Sequence, residues 1–401
     1  MGIEVHFTNG LRKIKPYYHS RTCFAKGRWL NRTLLDVLSN EFRTLSRDDY
    51  LNRIIQKDFQ LIREGEPLSV EQTLNALIQN KDLVKTTDHK HEPPVRQWSA
   101  DELTTATQIA GMDIIHEDEN FLVINKPCGI PVHPTGQYFQ NTITEILSGA
   151  GKTAFPTHRL DKITSGVLIL AKNCYTANKI QAKIRSRDMR KVYLARVRGM
   201  FPHASSDIQY FSSDELFQQS DKVTKVDSPI FTVEPKKRFR AGLSPAREAT
   251  TNFYPIRYIA ASDETVVACQ PLTGRTHQIR IHLARLGHAI SNDPFYNYQN
   301  TLYPKRLQFM LDVENWETSG LSENQLSERF HEFVIECEEL QKRRTQSEFS
   351  EKCMYCGTPS IPDPTPETLE LYLHAWKYSD IEGKLSFESA LPKWASEHDT
   401  K

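Results

Sequence analysis

Apolar and polar positions along the chain form patterns that predict both strands and helices. The apolar stretches Met112 to Ile115 and Phe121 to Asn125 are short and separated by polar residues, so they predict a β-hairpin. The stretch Val167 to Lys172 predicts a buried strand, and Asn173 after it can cap a helix that extends past Ile180. Because strands and helices do not alternate regularly, we predict an α+β fold with a mixed, mainly antiparallel sheet.

A strand, a turn and a helix follow one another in the second half of the chain. Val192 to Val197 and Thr265 to Gln270 predict two more strands, and Thr273-Gly274 predicts a turn after the second. A helix over about 276–286 then carries an apolar stripe made of Ile279, Leu283 and Leu286. Arg280 lies beside that stripe, where it would hold a permanently ionised group near the end of the strand. The alternative for an arginine on a helix is a surface salt bridge.

The N-terminal part of the chain has the pattern of a small separate domain. A helical pattern over 34–42 and short strand-like pieces end at His91 to Val95, a segment with two prolines that cannot continue a helix. We therefore predict a small domain over 1–95, a linker over 96–110 and a larger domain over 111–401. Within the larger domain, Thr142 and Glu145 predict a capping box at the start of a short helix.

Composition limits the class of protein. The chain has 401 residues, of which 38% are apolar and 25% charged, and no apolar run is long enough to cross a bilayer. We find no readable targeting signal at the N-terminus, so we expect the cytoplasm and leave a second use in mitochondria open. Seven cysteines, an odd number in a long chain, do not form a secreted disulfide framework. We therefore expect reduced thiols.

The net charge of +1 hides basic clusters along the chain. Between residues 11 and 32 there are seven basic residues and no acidic ones, with Tyr17, Tyr18, Phe24 and Trp29 among them. Two further clusters consist of Arg185, Arg187, Arg190, Lys191, Arg196 and Arg198, and of Lys236, Lys237, Arg238 and Arg240. Residues 311–351 instead carry eleven acids and four bases on a helical pattern. Each basic cluster alone could be a solvated surface, but three with interleaved aromatic rings favour phosphate contacts and base stacking on a nucleic acid.

One loop combines a carboxylate with the start of a buried strand. The segment His158-Arg159-Leu160-Asp161-Lys162-Ile163-Thr164-Ser165-Gly166 places Asp161 between an arginine and a turn, directly before the strand that begins at Val167. A rigid strand can hold such a side chain in a fixed position. Asp161 is therefore the candidate catalytic carboxylate. A buried carboxylate needs an opposing charge to remain ionised.

One pair of cysteines has the spacing of metal ligands. Cys353-Met354-Tyr355-Cys356 is the only CxxC pair, and a structural zinc site needs four ligands. Cys337 and His374 are the candidates to complete it, but their spacing is irregular, so we predict no metal. The zinc deaminase signature, Walker A loops and dinucleotide-type glycine loops are also absent.

Three blocks of sequence resemble the signature set of RluA-type pseudouridine synthases. They are His158 to Gly166, Arg190 to Gly199 with Tyr193, and Thr273 to Arg280. Ile124-Asn125-Lys126-Pro127, the segment 130–134 and Leu373-His374-Ala375 fit the same family. The resemblance covers about 113–294 closely and returns near residue 371, so it implies a catalytic domain over 111–401 with an acidic helical insertion over about 298–365. The N-terminal part is similar to the eukaryotic branch that acts on tRNA, which implies an S4-like RNA-binding domain.

The resemblance implies roles for individual residues. Asp161 would act as nucleophile or stabilise a cationic sugar, and Arg280 would keep it ionised. Tyr193 would stack on a flipped uracil and take the proton from carbon 5, while Arg159 would fill the space left by the base. A tyrosine on a strand is otherwise often merely half-buried. RNA contacts are predicted at ten positions: Arg12, Lys13, Lys15, Lys26, Arg28, Arg159, Arg187, Arg190, Arg275 and His277.

The expected activity is isomerisation of a uridine in the anticodon stem-loop of tRNA, with position 31 favoured. Isomerisation at uridine 32 and a non-catalytic tRNA-binding or tRNA-folding protein are the alternatives. The intact set of Asp161, Tyr193 and Arg280 separates the two classes, since a chaperone has no chemical need for it. The chemistry requires no cofactor, and we expect a monomer that does not bind membranes.

Overall fold

A computed structural model of the chain describes residues 3–42, 45–206, 216–218, 221–231, 246–313, 320–345, 351–360 and 362–396. The described residues form two compact units. The N-terminal unit contains 1–5, 14–92 and the short segment 352–358. The second unit contains 6–13, 93–351 and 359–401, and we call it the catalytic unit because the predicted site residues Asp161, Tyr193 and Arg280 lie in it. The basic cluster Lys236, Lys237, Arg238 and Arg240 lies outside the described residues. The division of the chain into an RNA-binding domain that ends at residue 95 and a catalytic domain after it stays a prediction.

The strands of the described residues are, in chain order, β1 (Val5–Thr8), β2 (Leu11–Ile14), β3 (Tyr17–Phe24), β4 (Phe59–Arg63), β5 (Glu66–Pro67), β6 (Leu83–Lys90), β7 (Val95–Arg96), β8 (Gln108–Ile109), β9 (Met112–Glu117), β10 (Phe121–Lys126), β11 (Phe155–Pro156), β12 (Ser165–Ala171), β13 (Met189–Arg198), β14 (Thr224–Asp227), β15 (Ile230–Phe231), β16 (Ala246–Arg247), β17 (Thr250–Ile259), β18 (Glu264–Pro271), β19 (Leu373–Asp380) and β20 (Ser386–Glu388). The helices are α1 (Leu34–Val37), α2 (Arg47–Ile55), α3 (Val70–Asn75), α4 (Ile143–Gly149), α5 (Cys174–Arg185), α6 (Gln278–Arg285), α7 (Pro304–Asp312), α8 (Glu323–Thr345) and α9 (Lys393–Ser396).

An eleven-stranded sheet forms the centre of the catalytic unit. Its main strand order is β14-β17-β18-β13-β19-β12-β10-β9-β8, with β11 beside β12 and β20 beside β19. Neighbouring strands are antiparallel except β12 and β19, which are parallel. The sheet therefore has the mixed, mainly antiparallel character that the sequence predicts. The strand β19, which comes late in the sequence, lies between β12 and β13. It therefore joins β12, which follows Asp161, to β13, which carries Tyr193.

A close approach of β12 and β19 requires glycine at position 166. Gly166 pairs with Ala375 and has φ +110°, a conformation that other residues rarely adopt. A Cβ atom there would collide with the carbonyl oxygen of Ala375. Next to it, the hydroxyl of Ser165 lies 2.8 Å from His374 Nδ1, and His374 Nε2 lies 2.7 Å from the hydroxyl of Ser389. These contacts fix the start of β12, directly after the Asp161 loop.

The N-terminal unit has its own apolar core. Helices α1 to α3 pack on the sheet β3-β6-β4-β5, with Trp29, Tyr50, Phe59 and Leu61 among the buried residues. These N-terminal strands, with the helices packed on them, are consistent with the expected S4-like fold. Ser46 and Ser69 begin α2 and α3 with capping boxes that the sequence analysis did not identify.

Local predictions in the catalytic unit have mixed outcomes. The hairpin β9–β10 is present, and Asn173 Oδ1 accepts the hydrogen bond from the Thr176 N–H at the start of α5, as predicted. The capping box at Thr142 is wrong. Thr142 does precede α4, but its hydroxyl donates to the Phe139 carbonyl oxygen (2.8 Å) and does not cap the helix.

The acidic region shares a hydrophobic core with Ile230, Ala249 and Ile281 of the same unit. Helices α7 and α8 pack through Leu307, Phe309, Leu326 and Phe333, which are buried. The helix predicted from the acidic pattern is therefore present as α8. In the described parts of the chain, no helix is both long and apolar enough to span a membrane.

Candidate active site

A buried lysine holds the backbone of the loop that carries Asp161. Lys126, at the end of β10, is fully buried, and its Nζ donates to the carbonyl oxygens of Pro127 (2.9 Å), Lys162 (3.2 Å) and Thr164 (2.8 Å). Burial lowers the pKa of Lys126 to about 7, while the negative charge of Asp161 acts in the opposite direction. Because two of these carbonyls belong to the loop residues directly after Asp161, the lysine fixes the loop backbone rather than the carboxylate itself.

The Asp161 carboxylate faces two cationic or potentially cationic groups. Its Oδ2 lies 3.7 Å from the Arg280 guanidinium and 3.5 Å from His277 Nε2. The side chain is 25% exposed, whereas that of Arg280 is 2% exposed, so the carboxylate remains open to a ligand on one side. The structure thus brings together Asp161 and Arg280, as predicted, at a distance typical of an ion pair without a direct hydrogen bond.

Arg280 is fixed by a second carboxylate, Asp293, which the sequence analysis did not identify. Arg280 donates two hydrogen bonds to Asp293, at 2.7 and 2.8 Å, and both side chains are buried. Burial opposes ionisation of Asp293, but the Arg280 guanidinium and the N–H groups of Phe295 and Tyr296 outweigh it and lower the pKa of Asp293. The bidentate pair orients the guanidinium and leaves its remaining nitrogen facing Asp161.

His277 contributes a neutral ring to the site. Burial and the charge of Arg280 lower the pKa of His277 to about 4, so the imidazole is uncharged at neutral pH. The Tyr296 hydroxyl lies 2.9 Å from Nδ1 and can donate to it, which leaves the ring proton on Nε2, facing Asp161. His277 has φ +57° and directly precedes α6, so this backbone conformation turns the ring back toward the carboxylate.

Tyr193 is part of a chain of aromatic contacts. Its hydroxyl lies 2.6 Å from that of Tyr378, whose ring stacks on His158 with a centroid distance of 4.5 Å. His158 in turn accepts a hydrogen bond from the Ile169 N–H (3.1 Å), which ties the stack to β12. Burial raises the pKa of Tyr193 to about 12, and the charge of Asp161 adds to the effect. The phenol is therefore protonated at neutral pH.

The resulting arrangement combines a partly open carboxylate, a fixed guanidinium, a neutral imidazole and a half-buried phenol. A carboxylate kept ionised by a neighbouring cation can act as a nucleophile or stabilise positive charge on a ligand. A tyrosine ring beside it can stack on a planar base. Neither the charges nor the hydrogen bonds described require a metal ion.

The predicted RNA contacts of the catalytic unit lie in different surroundings. Arg159 and Arg187 are exposed, and Arg275 is half-buried with its Nε donating to the Glu248 carbonyl oxygen (3.0 Å). Alternation along β13 places Arg190 on the opposite face of the strand from Tyr193. Lys191 lies on the Tyr193 face, and its Nζ would be 3.6 Å from a Cβ at position 274, so it is a further cation near the site.

The predicted contact at Arg12 needs correction. Arg12 belongs to the catalytic unit and is 5% exposed, with Nε donating to Glu102 (2.6 Å) and the guanidinium also contacting Asn141 and the Trp98 ring. A paired, buried guanidinium supports the local structure and cannot reach a phosphate. Lys13 pairs with Asp363 in the same unit.

The other predicted RNA contacts near the N-terminus are exposed residues of the N-terminal unit. They are Lys15, which pairs with Glu4, Lys26, which lies over the Trp29 ring, and Arg28, which pairs with Glu41. Exposed ion pairs of this kind contribute little and can be exchanged for other partners. Tyr18 and Phe24 on β3 are exposed as well. This combination still suits an RNA surface, which stays a prediction.

The structure brings a different set of side chains to the CxxC pair than the two candidates named from the sequence. Cys337 and His374, the candidates for completing the CxxC pair, belong to the catalytic unit, whereas Cys353 and Cys356 belong to the N-terminal unit. Among the residues that the structure describes, His89, His91, Cys353 and Cys356 instead form a group with metal-ligand spacing. A His-x-His pair at the end of a strand was the signal that the sequence analysis passed over.

Comparison with known proteins gives consistent results. The family described as RNA pseudouridylate synthase matches residues 120–285. The chain is 51% identical to the tRNA pseudouridine(31) synthase of Saccharomyces cerevisiae, over 98% of this chain and 97% of the relative. It is 33% identical to the mitochondrial tRNA pseudouridine(32) synthase of the same yeast, over 98% of this chain and 78% of the relative. The solved structure of human RNA pseudouridylate synthase domain containing 4 is 24% identical and covers 70% of this chain and 89% of its own, with a TM-score of 0.42.

Proposed function

The chain belongs to the RNA pseudouridylate synthase family and is an isomerase that forms pseudouridine, and we propose that its substrate is uridine 31 in the anticodon stem-loop of tRNA. The observation that carries the proposal is the pair formed by Asp161 and the fixed Arg280 guanidinium, in a chain 51% identical to an enzyme named for uridine 31. The lower identity of 33% to the uridine 32 enzyme makes that position the second candidate.

The proposed mechanism begins with removal of the target base from the helical stack. Arg159 is exposed and adjacent to Asp161, so its planar guanidinium can occupy the space that the uridine leaves. The flipped uracil stacks on Tyr193, whose ring lies on the face of the sheet nearest the carboxylate. Asp161 then either attacks the sugar carbon or stabilises its positive charge as the N-glycosidic bond breaks.

The uracil next turns so that carbon 5 faces the sugar, and a carbon–carbon bond forms. Carbon 5 loses its proton and nitrogen 1 gains one, so the reaction needs a proton acceptor but no net exchange of atoms. The pKa of about 12 favours the neutral phenol of Tyr193. We therefore assign Tyr193 to stacking and hydrogen bonding, since removal of the carbon 5 proton by its phenolate would use a very minor form.

Transcripts of one tRNA with single changes in the anticodon loop test which uridine the protein modifies. We expect the protein to form pseudouridine in the unmodified transcript and in a transcript with cytidine at position 32, but not in one with cytidine at position 31. Mapping by mass spectrometry of nuclease fragments reads the position directly. Product at position 32 alone would assign the second candidate. Tight tRNA binding without product in any transcript would favour the non-catalytic alternative.

We also propose that the exposed basic residues of the N-terminal unit bind tRNA phosphates. Replacing Lys15, Lys26 and Arg28 with glutamine should weaken tRNA binding and reduce the slope of log affinity against log salt by about 2, because each phosphate contact contributes roughly 0.7–0.9. Binding measured at several salt concentrations checks this. The matched control replaces the exposed lysines Lys179, Lys384 and Lys393 with glutamine. An equal loss in both triple variants would mean that net charge alone is responsible.

Two coarser points complete the proposal. Asp161, Tyr193 and Arg280 all lie in one unit of one chain, which supports activity as a monomer. We propose that the protein is used in both the cytoplasm and mitochondria, because the name of one relative describes that relative as mitochondrial. Sedimentation of the purified chain and localisation of a tagged copy test these points separately.

A further inference from the structure

We propose that His89, His91, Cys353 and Cys356 bind one zinc ion in the N-terminal unit. The four ligand atoms, two imidazole nitrogens and two sulfurs, all lie within 4.8 Å of one another. Two histidines and two cysteines form one of the common ligand sets of structural zinc sites. The site is separate from Asp161 and its neighbours, which belong to the other unit.

The distances between the ligand atoms match a tetrahedron around zinc. His89 Nδ1 lies 3.2 Å from His91 Nε2 and 3.3 Å from Cys356 Sγ, and His91 Nε2 lies 3.2 Å from Cys356 Sγ. Cys353 Sγ lies 3.7 Å from His89 Nδ1. Zinc bonds of about 2.0–2.1 Å to nitrogen and 2.3 Å to sulfur give tetrahedral edges of roughly 3.3–3.8 Å. Four of the six distances between ligand atoms are thus close to this range, and the other two do not exceed 4.8 Å.

The two histidines approach this point from one face of a strand. His89 lies near the end of β6 and pairs with Tyr18 on β3, while His91 follows the last residue of the strand. Residues two apart in an extended chain point to the same side, so both rings can reach one ion.

The two cysteines approach from a tight turn. The Gly357 N–H donates to the Cys353 carbonyl oxygen (2.8 Å), and the Cys353 N–H donates to that of Thr358 (2.9 Å). Gly357 has φ +67°, which lets the chain reverse directly after Cys356. The Tyr355 N–H lies 3.4 Å from Cys353 Sγ and the Thr358 hydroxyl 3.1 Å from Cys356 Sγ. The Tyr355 N–H donates to the Cys353 sulfur and would stabilise its thiolate, the form that zinc requires.

The segment 352–358 buries little apolar surface, and its one ring contact with β6 among the described residues joins Tyr355 and His89, whose centroids are 5.7 Å apart. Cys353 is its only half-buried residue, and the large apolar side chains Met354 and Tyr355 are 86% and 71% exposed. Its cysteine ligands are more than 260 residues from the histidines in sequence. Apolar burial therefore cannot hold this segment to β6, whereas a metal bond can, since binding to a preformed set of ligands contributes directly to folding. We infer that zinc holds the segment 352–358 in place within the N-terminal unit.

Soft sulfur ligands and a tetrahedral arrangement select zinc over hard cations such as magnesium or calcium. The competing interpretation is that Cys353 and Cys356 act as a redox pair and form a disulfide. Both thiols are free in the structure, and the two histidines have no function in that case. The two interpretations differ in metal content and in the requirement for histidine.

Metal analysis of the full-length protein tests the proposal. We expect about one zinc per chain by mass spectrometry of the metal, and intense visible absorption bands of tetrahedral cobalt after replacement of zinc by cobalt. The variants Cys353→Ser with Cys356→Ser, and His89→Asn with His91→Asn, should each lose at least nine-tenths of the metal. Matched controls are Cys337→Ser and Cys174→Ser, which should retain it.

Each outcome decides the question. Metal retained by the double histidine variant would overturn the four-ligand site, because two cysteines alone would then account for binding. A wild-type protein that holds no zinc and does not bind added cobalt, with or without reduction of its thiols, would overturn the proposal without depending on the folding of any variant. Because the readout is metal content, loss of pseudouridine formation has no influence on the result.

Discussion

Replacing Asp161 with asparagine should lower pseudouridine formation by at least about 10⁴-fold, because the proposed step depends on one ionised carboxylate. Asparagine has nearly the same shape, so it keeps the loop that Lys126 holds by its carbonyl contacts. It removes the charge that faces Arg280 at 3.7 Å and the oxygen that could attack the sugar. Single-turnover assays with excess protein measure the chemical step directly.

The control for this variant tests whether binding survives. The affinity for tRNA should stay within a few-fold of the wild-type value, since phosphate contacts supply most of it. Asp113→Asn changes an exposed carboxylate of the same unit and should stay within about two-fold of wild-type activity. Turnover of the Asp161 variant near the wild-type rate would rule out the proposed role of the carboxylate.

Replacing Arg280 with methionine should harm both stability and activity, for two separable reasons. Asp293 would remain buried without its bidentate partner, which costs about 3–5 kcal/mol in the free energy of unfolding. Asp161 would lose its permanently charged neighbour, and we expect activity to fall by about 10²–10³-fold. Urea denaturation measures the first effect and single-turnover kinetics the second.

A double variant separates these effects. Adding Asp293→Asn to Arg280→Met removes the unpaired charge and keeps an amide oxygen for the N–H groups of Phe295 and Tyr296. Stability should recover by about 2 kcal/mol or more, whereas activity should stay low. Arg306→Met is the matched control, because its guanidinium lies over the same two rings without an ion pair to Asp161 among the described contacts. Activity that recovers together with stability would show that Arg280 acts only through the fold.

Features that depend on neighbouring residues could be predicted from the sequence. The hairpin β9–β10, the Asn173 cap and the helix α6 follow from apolar spacing and from polar residues at chain turns. Asp161 and Arg280 could be brought together only through the family resemblance, since 119 residues separate them and spacing alone gives no distance. The capping box at Thr142 fits the local rule, but the hydroxyl finds the Phe139 carbonyl oxygen instead.

Partners that are distant in sequence could not be predicted. Arg12 belongs to a basic cluster, yet contacts with Glu102 and Asn141 bury it, and only the tertiary fold supplies those contacts. The buried Arg280 needs a carboxylate, but nothing in the sequence distinguishes Asp293 from other acids. The group of His89, His91 and the CxxC pair joins segments more than 260 residues apart, so the search for ligands near the cysteines could not find it.

The position of β19 has a consequence for synthesis of the protein. This strand is formed by residues 373–380, yet it lies between β12 and β13 at the centre of the sheet. In a nascent chain, β12 can pair with β10 and β13 with β18, but the edges that face β19 must stay unpaired until residues 373–380 have left the ribosome, and such distant pairing forms slowly. The strand after the carboxylate loop and the tyrosine strand can therefore be joined only once β19 has been made, so a product that ends before residue 373 lacks this link between Asp161 and Tyr193.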